Sequence, residues 1–282
     1  MAFSGYFSIA LNILSTSVLQ ICSLLGGLVF VGFLLNGLET GANRFLIQTF
    51  GMKGIYLTAW IGTPVHELGH ALMCLIFRHR IVKIKWFQMR DAAGTIGYVS
   101  HSYNLNSFYQ RAGNLFIGLA PLISGGLAII GSAFVLLPPE SRTLFPLFFN
   151  GGHVLSFLNP QSWALWLQTL NEMVRELFAP ENFAHPLYWL FLWIALCIAS
   201  HMSLSREDVR GAVSGIGAIF LLSFLASTLA ALLDPSLGTA ILRGIGKFNY
   251  ALLLFLTVSL IFSFVHWIMA AALYGARRLV NR

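Results

Sequence analysis

The stretch Trp60-Ile61-Gly62-Thr63-Pro64-Val65-His66-Glu67-Leu68-Gly69-His70-Ala71-Leu72-Met73 sets an HExxH pattern inside an apolar run. On a helix, residues i and i+4 share one face, so His66 and His70 can grip a single metal ion. Two neutral imidazoles leave positions open on zinc, and a third protein ligand completes the three-plus-water arrangement of a hydrolytic site. Glu67 follows its histidine directly and is placed to act as general base. In that scheme zinc lowers the pKa of a bound water and polarises a scissile carbonyl, while Glu67 takes the water's proton and returns it to the leaving amine. The reaction expected is peptide-bond hydrolysis. At this chain's His and Glu content the pattern arises by accident with a chance of about half a percent. Its apolar setting adds weight, because an ionisable group inside a membrane span costs about 3 kcal/mol or more unless it is paired or hydrated.

Working outward, the chain has 282 residues, 57% hydrophobic and 10% charged, against roughly 25% charged in a soluble domain. Several uncharged apolar stretches exceed the roughly 18 residues that cross a hydrocarbon core. The fold class expected is therefore an all-α polytopic membrane protein, one integral-membrane metallopeptidase domain over residues 1–282. Six spans are predicted, near 14–38, 54–77, 112–137, 186–204, 209–233 and 248–274. Apart from residues at span ends, Glu67 is the only charged residue inside them. No Lys or Arg precedes the first span and no small-residue cleavage motif follows it, so it does not read as a removable signal peptide. Cys22, Cys74 and Cys197 are isolated in apolar surroundings without CxxC or CxxH spacing, which argues against a disulfide framework or a thiolate metal site. The formal charge of +7 reads as basic residues flanking spans; no nucleic-acid partner is expected.

Between the second and third spans, Val82, Ile84 and Trp86 alternate with Lys83 and Lys85, and Thr95 to Val99 follow Asp91-Ala-Ala-Gly94. This predicts a β-hairpin at the membrane surface. Residues 138–185 are broken by Pro138, Pro139, Pro146, Pro160 and Pro180, yet Trp163, Trp166, Leu167 and Leu170 fall at helical spacing. An interfacial amphipathic helix from about Pro160 to Phe178 is predicted there. On alternate sides of six spans, one side holds eleven Lys and Arg, including Arg78, Arg90, Arg206 and Arg282, and the other six, including Arg142. The positive-inside rule then places both termini in the cytoplasm.

A third ligand should come from comparable depth. Ser200-His201-Met-Ser-Leu-Ser205-Arg-Glu-Asp208 joins the fourth and fifth spans. Asp208 is the first choice; it also fits a capping-box acid that stabilises a helix start behind the N-cap Ser205. His201 is the alternative ligand, or a donor to substrate. His79, His101 and His153 read as interfacial or turn histidines, and His266 as a helix-to-helix hydrogen bonder. Gly118, Gly125 and Gly126 in the third span read as sites of close helix packing, with Asn114 and Pro121 able to supply a donor or an opened backbone near the site. Gly211, Gly215 and Gly217 read the same way, and would let the Asp208 helix approach the second span.

His66-Glu67-Leu-Gly-His70-Ala in a span followed by a short hairpin resembles the site-2 protease family of intramembrane zinc metalloproteases. Gly94-Thr-Ile-Gly-Tyr-Val-Ser-His-Ser-Tyr103, with Gly113-Asn114 and Gly118-Leu-Ala-Pro121 after it, is similar to a divergent bacterial branch of these enzymes. The resemblance implies one zinc per chain, membrane-associated protein substrates, an inner-membrane location and an aspartate third ligand at the start of a later helix, here Asp208. The family's usual Asn-Pro-x-x-Asp-Gly context is not reproduced: Asn159-Pro160 has no Asp-Gly after it, and Asp208 precedes Val209-Arg210-Gly211. A free hairpin edge beside the zinc would accept an unwound substrate as an added strand. The competing reading is a catalytically inactive zinc-binding scaffold or transporter accessory protein.

Overall fold

The computed structural model describes residues 2–89, 95–138, 146, 153–234 and 236–280, with side chains from Phe7 onward. The expected turn Asp91–Gly94, together with Arg90, Pro139, Arg142 and Arg282, lies outside the described residues. In chain order the elements are α1 (Ala2–Phe50), α2 (Met52–Ile76), β1 (Arg80–Lys85), β2 (Tyr98–Ser102), α3 (Phe108–Leu136), α4 (Pro160–Leu177), a 3-10 turn (Pro180–Ala184), α5 (Pro186–Ala199), α6 (Arg206–Leu233) and α7 (Ser236–Val280).

Four helices, α1, α3, α6 and α7, are long and apolar enough to cross a membrane by length and composition. Among the described residues the expected six are not all found by that measure. Helix α5 has 14 residues, about 21 Å at 1.5 Å per residue, short of the roughly 30 Å hydrocarbon layer. Helix α2 is long enough but less apolar, because its inward face carries the buried polar groups Thr58, Thr63, Glu67 and His70. Its outward face exposes Leu57, Trp60, Leu68, Leu72 and Leu75. Polar inside and apolar outside is the reverse of a water-soluble helix and matches a lipid-facing one.

The expected alternation also changes. Asn249 Nδ2 donates to the Ser23 carbonyl at 2.6 Å, Trp267 packs against Gly41, and Arg277 Nη1 reaches the Gln48 carbonyl at 3.5 Å. Residue numbers rise together along both helices, so α1 and α7 run parallel. First and last spans of an even, alternating set would run antiparallel; the common cytoplasmic placement of both termini, which rested on that set, does not follow.

The hairpin is present as an antiparallel pair with Lys83 opposite Ser100 and Lys85 opposite Tyr98, and with a bulge between Ile81 and Lys83. Its second strand begins three residues later than Thr95, although the Gln88 N–H to Ile96 carbonyl bond at 2.7 Å carries the pairing of the arms further. The helix expected from Pro160 is α4: Asn159 caps it and Pro160 occupies its first turn, where a missing N–H costs nothing. Trp166, Thr169, Met173 and Leu177 form its buried side, and Thr169 Oγ1 meets the Tyr250 hydroxyl at 2.6 Å. The apolar core runs between α3, α5 and α7 through Leu122, Ile129, Phe191, Leu254 and Phe262.

Candidate metal centre

His66 and His70 project from one side of α2, with ring centroids 5.0 Å apart. Each Nδ1 is fixed by a backbone carbonyl: His66 Nδ1 lies 2.9 Å from the His201 oxygen, and His70 Nδ1 lies 2.8 Å from the Ile117 oxygen. A carbonyl only accepts, so each ring holds its hydrogen on Nδ1 and turns a bare Nε2 lone pair inward. Both carbonyls are available for a reason in the sequence. Pro121, inside α3, has no N–H to give to the carbonyl four residues before it, which is Ile117. His201 follows the C-terminus of α5, where carbonyls lack intrahelical donors.

The two Nε2 atoms are 3.2 Å apart. Asp208 completes the set, with Oδ1 3.1 Å from His70 Nε2 and Oδ2 3.7 Å from His66 Nε2. Bonds of about 2.0–2.1 Å to a tetrahedral ion put neighbouring donors about 3.3 Å apart. Three lone-pair donors facing one another repel unless a proton or a metal cation lies among them, and their spacing fits a zinc ion. Asp208 also caps its helix: Ser205 N–H donates to Asp208 Oδ2 at 2.7 Å and Asp208 N–H to Ser205 Oγ at 3.1 Å. Ligand and cap are thus compatible: Oδ2 accepts the Ser205 N–H while still facing His66, and Oδ1 is left for His70.

Asp208 reaches the histidines because α6 packs along α3, not along α2 as the glycines suggested. Gly118 makes this possible, since a Cβ there would collide with the Asp208 carbonyl oxygen and sit 2.8 Å from the Ala212 nitrogen. Gly215 lies equally close to Leu115, whereas Gly211 and Gly217 touch nothing at Cβ range. Asn114 Nδ2 donates to Ser214 Oγ at 3.0 Å and ties the same two helices.

Glu67 is buried, and its Oε2 has no hydrogen-bond partner among the described residues. It lines a cavity of about 610 Å³ shared with the three candidate ligands, the β2 residues Tyr98 to His101 and the start of α6. Gly97 lies directly over Glu67: a Cβ there would sit 2.5 Å from Thr63 Cγ2 and 3.1 Å from Glu67 Oε1. One wall of the cavity is therefore backbone at the hairpin's edge.

His201 is not brought in as a ligand. Its carbonyl orients His66, while its ring Nε2 lies 3.0 Å from Thr58 Oγ1 and its Nδ1 4.0 Å from Glu39 Oε1. Glu39, inside α1, accepts the Ser203 N–H at 3.2 Å and so holds the loop that presents the His201 carbonyl. Sequence reading placed Glu39 just past a span and gave it no role; only the true length of α1 could have flagged it.

Three further expectations hold only in part. His79 is buried and meets His101, Nδ1 to Nδ1, at 3.0 Å. Cys74 is isolated along the chain but not in space, since it lies beside both rings. Burial pushes both imidazoles below their usual range, opposed in His79 by the Gln110 carbonyl and reinforced in His101 by His79 and His70. His266 is buried, but its Nδ1 has no partner among the described residues. His153 packs against Tyr250.

No known protein family, curated protein or solved structure matches the chain. The functional reading therefore rests on the motif and this geometry.

Proposed function

We propose that the protein is an intramembrane zinc endopeptidase of the site-2 protease type, acting on membrane-associated protein substrates in a bacterial inner membrane. The observation that supports this reading is the convergence of His66 Nε2, His70 Nε2 and the Asp208 carboxylate within 3.1–3.7 Å, beside a buried Glu67 oxygen that lacks a partner. Zinc held by these residues would supply a Lewis acid that acidifies water and polarises a carbonyl.

The chain's own groups divide the remaining work. Glu67 Oε2 accepts the proton of the attacking water and returns it to the leaving amide nitrogen, a role worth about 10²–10⁴ in rate. The carbonyls of His201 and Ile117 keep the histidines in the tautomer that leaves Nε2 free. The edge of β2 accepts an extended segment through main-chain hydrogen bonds, presenting a peptide bond that a helix would bury in its own ladder. The apolar outer face of α2 brings lipid-embedded substrates close to the cavity.

The test uses purified full-length protein, metal analysis and a panel of single-span membrane substrates. Wild type should hold zinc and cleave at least one substrate; Glu67→Gln should keep zinc and lose cleavage. Glu67→Gln cleaving at the wild-type rate would instead favour a scaffold that binds metal without turnover.

A further inference from the structure

Four residues beyond His70, the same side of α2 presents Cys74, so that His66, His70 and Cys74 follow one another at successive turns of about 6 Å. Cys74 Sγ and one ring nitrogen each from His79 and His101 lie within 4.8 Å of one another. The two imidazoles are not an ordinary surface pair. His79 Nε2 lies 2.8 Å from the Gln110 carbonyl, which only accepts, so His79 carries its hydrogen there and its Nδ1 is bare toward His101. A ligating histidine held from behind by a backbone carbonyl has this arrangement. Gln110 is itself braced, its Oε1 accepting the Asn104 N–H at 2.6 Å and its Nε2 donating to the Arg78 carbonyl at 2.8 Å. Tyr103 stacks on the His79 ring at 4.9 Å and 18°.

The end of α2 brings His79 back toward Cys74. Arg78 has φ 56°, in the left-handed region where glycine usually ends a helix. That conformation closes the His79 N–H onto the Cys74 carbonyl at 2.8 Å and the Arg78 N–H onto Leu75 at 3.1 Å. The reversal folds His79 back over Cys74.

We propose that Cys74, His79 and His101 form a second metal site, taking a thiophilic transition-metal ion of the zinc class and fastening β2 to the end of α2. One thiolate with two imidazoles selects such ions over magnesium and calcium. On binding, the Cys74 S–H bond breaks and its proton leaves to water, while His101 moves its Nδ1 hydrogen to Nε2 and offers the freed pair. His101 also lines the Glu67 cavity, so the ion anchors the wall that borders that cavity. The site stands whether or not the His66 site cleaves peptides.

Cobalt is the probe, because thiolate ligation gives a near-ultraviolet charge-transfer band that histidine and carboxylate ligation does not. Full-length protein in detergent, stripped and reloaded with Co²⁺, should bind two ions and show the band. The band should persist with one ion in the His66→Ala/His70→Ala double variant, and should vanish with one ion retained in Cys74→Ser. His101→Gln, which keeps the thiol, should weaken cobalt binding at the band by about tenfold or more. A wild-type protein without the band, a band that survives Cys74→Ser, or unchanged affinity in His101→Gln overturns the proposal.

Discussion

His70 Nδ1 is hydrogen-bonded at 2.8 Å to the α3 carbonyl of Ile117, the one that Pro121 deprives of its helical donor. A break in one helix is thus used to set the tautomer of a ligand on another. Pro121→Ala restores a competing amide donor to Ile117. Zinc affinity, measured by chelator competition, should fall by about 10–100-fold while thermal stability holds or rises. Unchanged affinity would mean that the freed carbonyl is incidental.

Asp208 serves the helix start through Oδ2 and faces the histidines with both oxygens, and two substitutions should separate these roles. Ser205→Ala removes the cap and should cost about 1 kcal/mol of stability, read as a lower melting temperature, with metal stoichiometry unchanged. Asp208→Asn keeps an acceptor for the Ser205 N–H but removes the charge, and should lose metal with little change in the metal-free melt. Equal metal loss in both variants would indicate that Asp208 acts only through the helix.

Glu39 acts at a distance, through the loop whose His201 carbonyl orients His66. Glu39→Ala removes the acceptor of the Ser203 N–H and should weaken zinc binding by about tenfold, whereas Glu39→Gln should restore most of it. If Gln and Ala behave alike, the carboxylate's charge matters and not its hydrogen bond.

The parallel course of α1 and α7 predicts an odd number of crossings if both helices span. Reporter domains fused ahead of Ala2 and after Val280 should then report opposite faces of the membrane. Reports from the same face would return the molecule to an even count.

The motif on α2 was legible because its spacing is local: His66 and His70 meet through a single helical turn, and Ser205 with Asp208 through one cap. The hairpin was legible from alternation, and α4 from Pro160 followed by Trp163, Trp166, Leu167 and Leu170 at helical spacing. What failed were properties that depend on partners. The polar inner face of α2 lowers its hydropathy because the site occupies it, and α5 is short because the chain turns at Ser200 to deliver His201. Cys74, His79 and His101 are strung across nearly thirty positions, so no spacing rule joins them; only the left-handed turn at Arg78 and the pairing of Ile81 with His101 do. Glu39 escaped notice because α1 runs well past the expected end of the first span and its partner Ser203 is far along the chain.

The lengths of α1 and α7 set the height of the protein. At 49 and 45 residues they measure about 73 Å and 67 Å, and even a 40° tilt absorbs only about 39 Å of rod in a 30 Å hydrocarbon layer. If both cross, more than about 25 Å of each lies beyond the hydrocarbon layer, shared between its two faces, so a particle in a nanodisc should show the paired helices projecting from the disc.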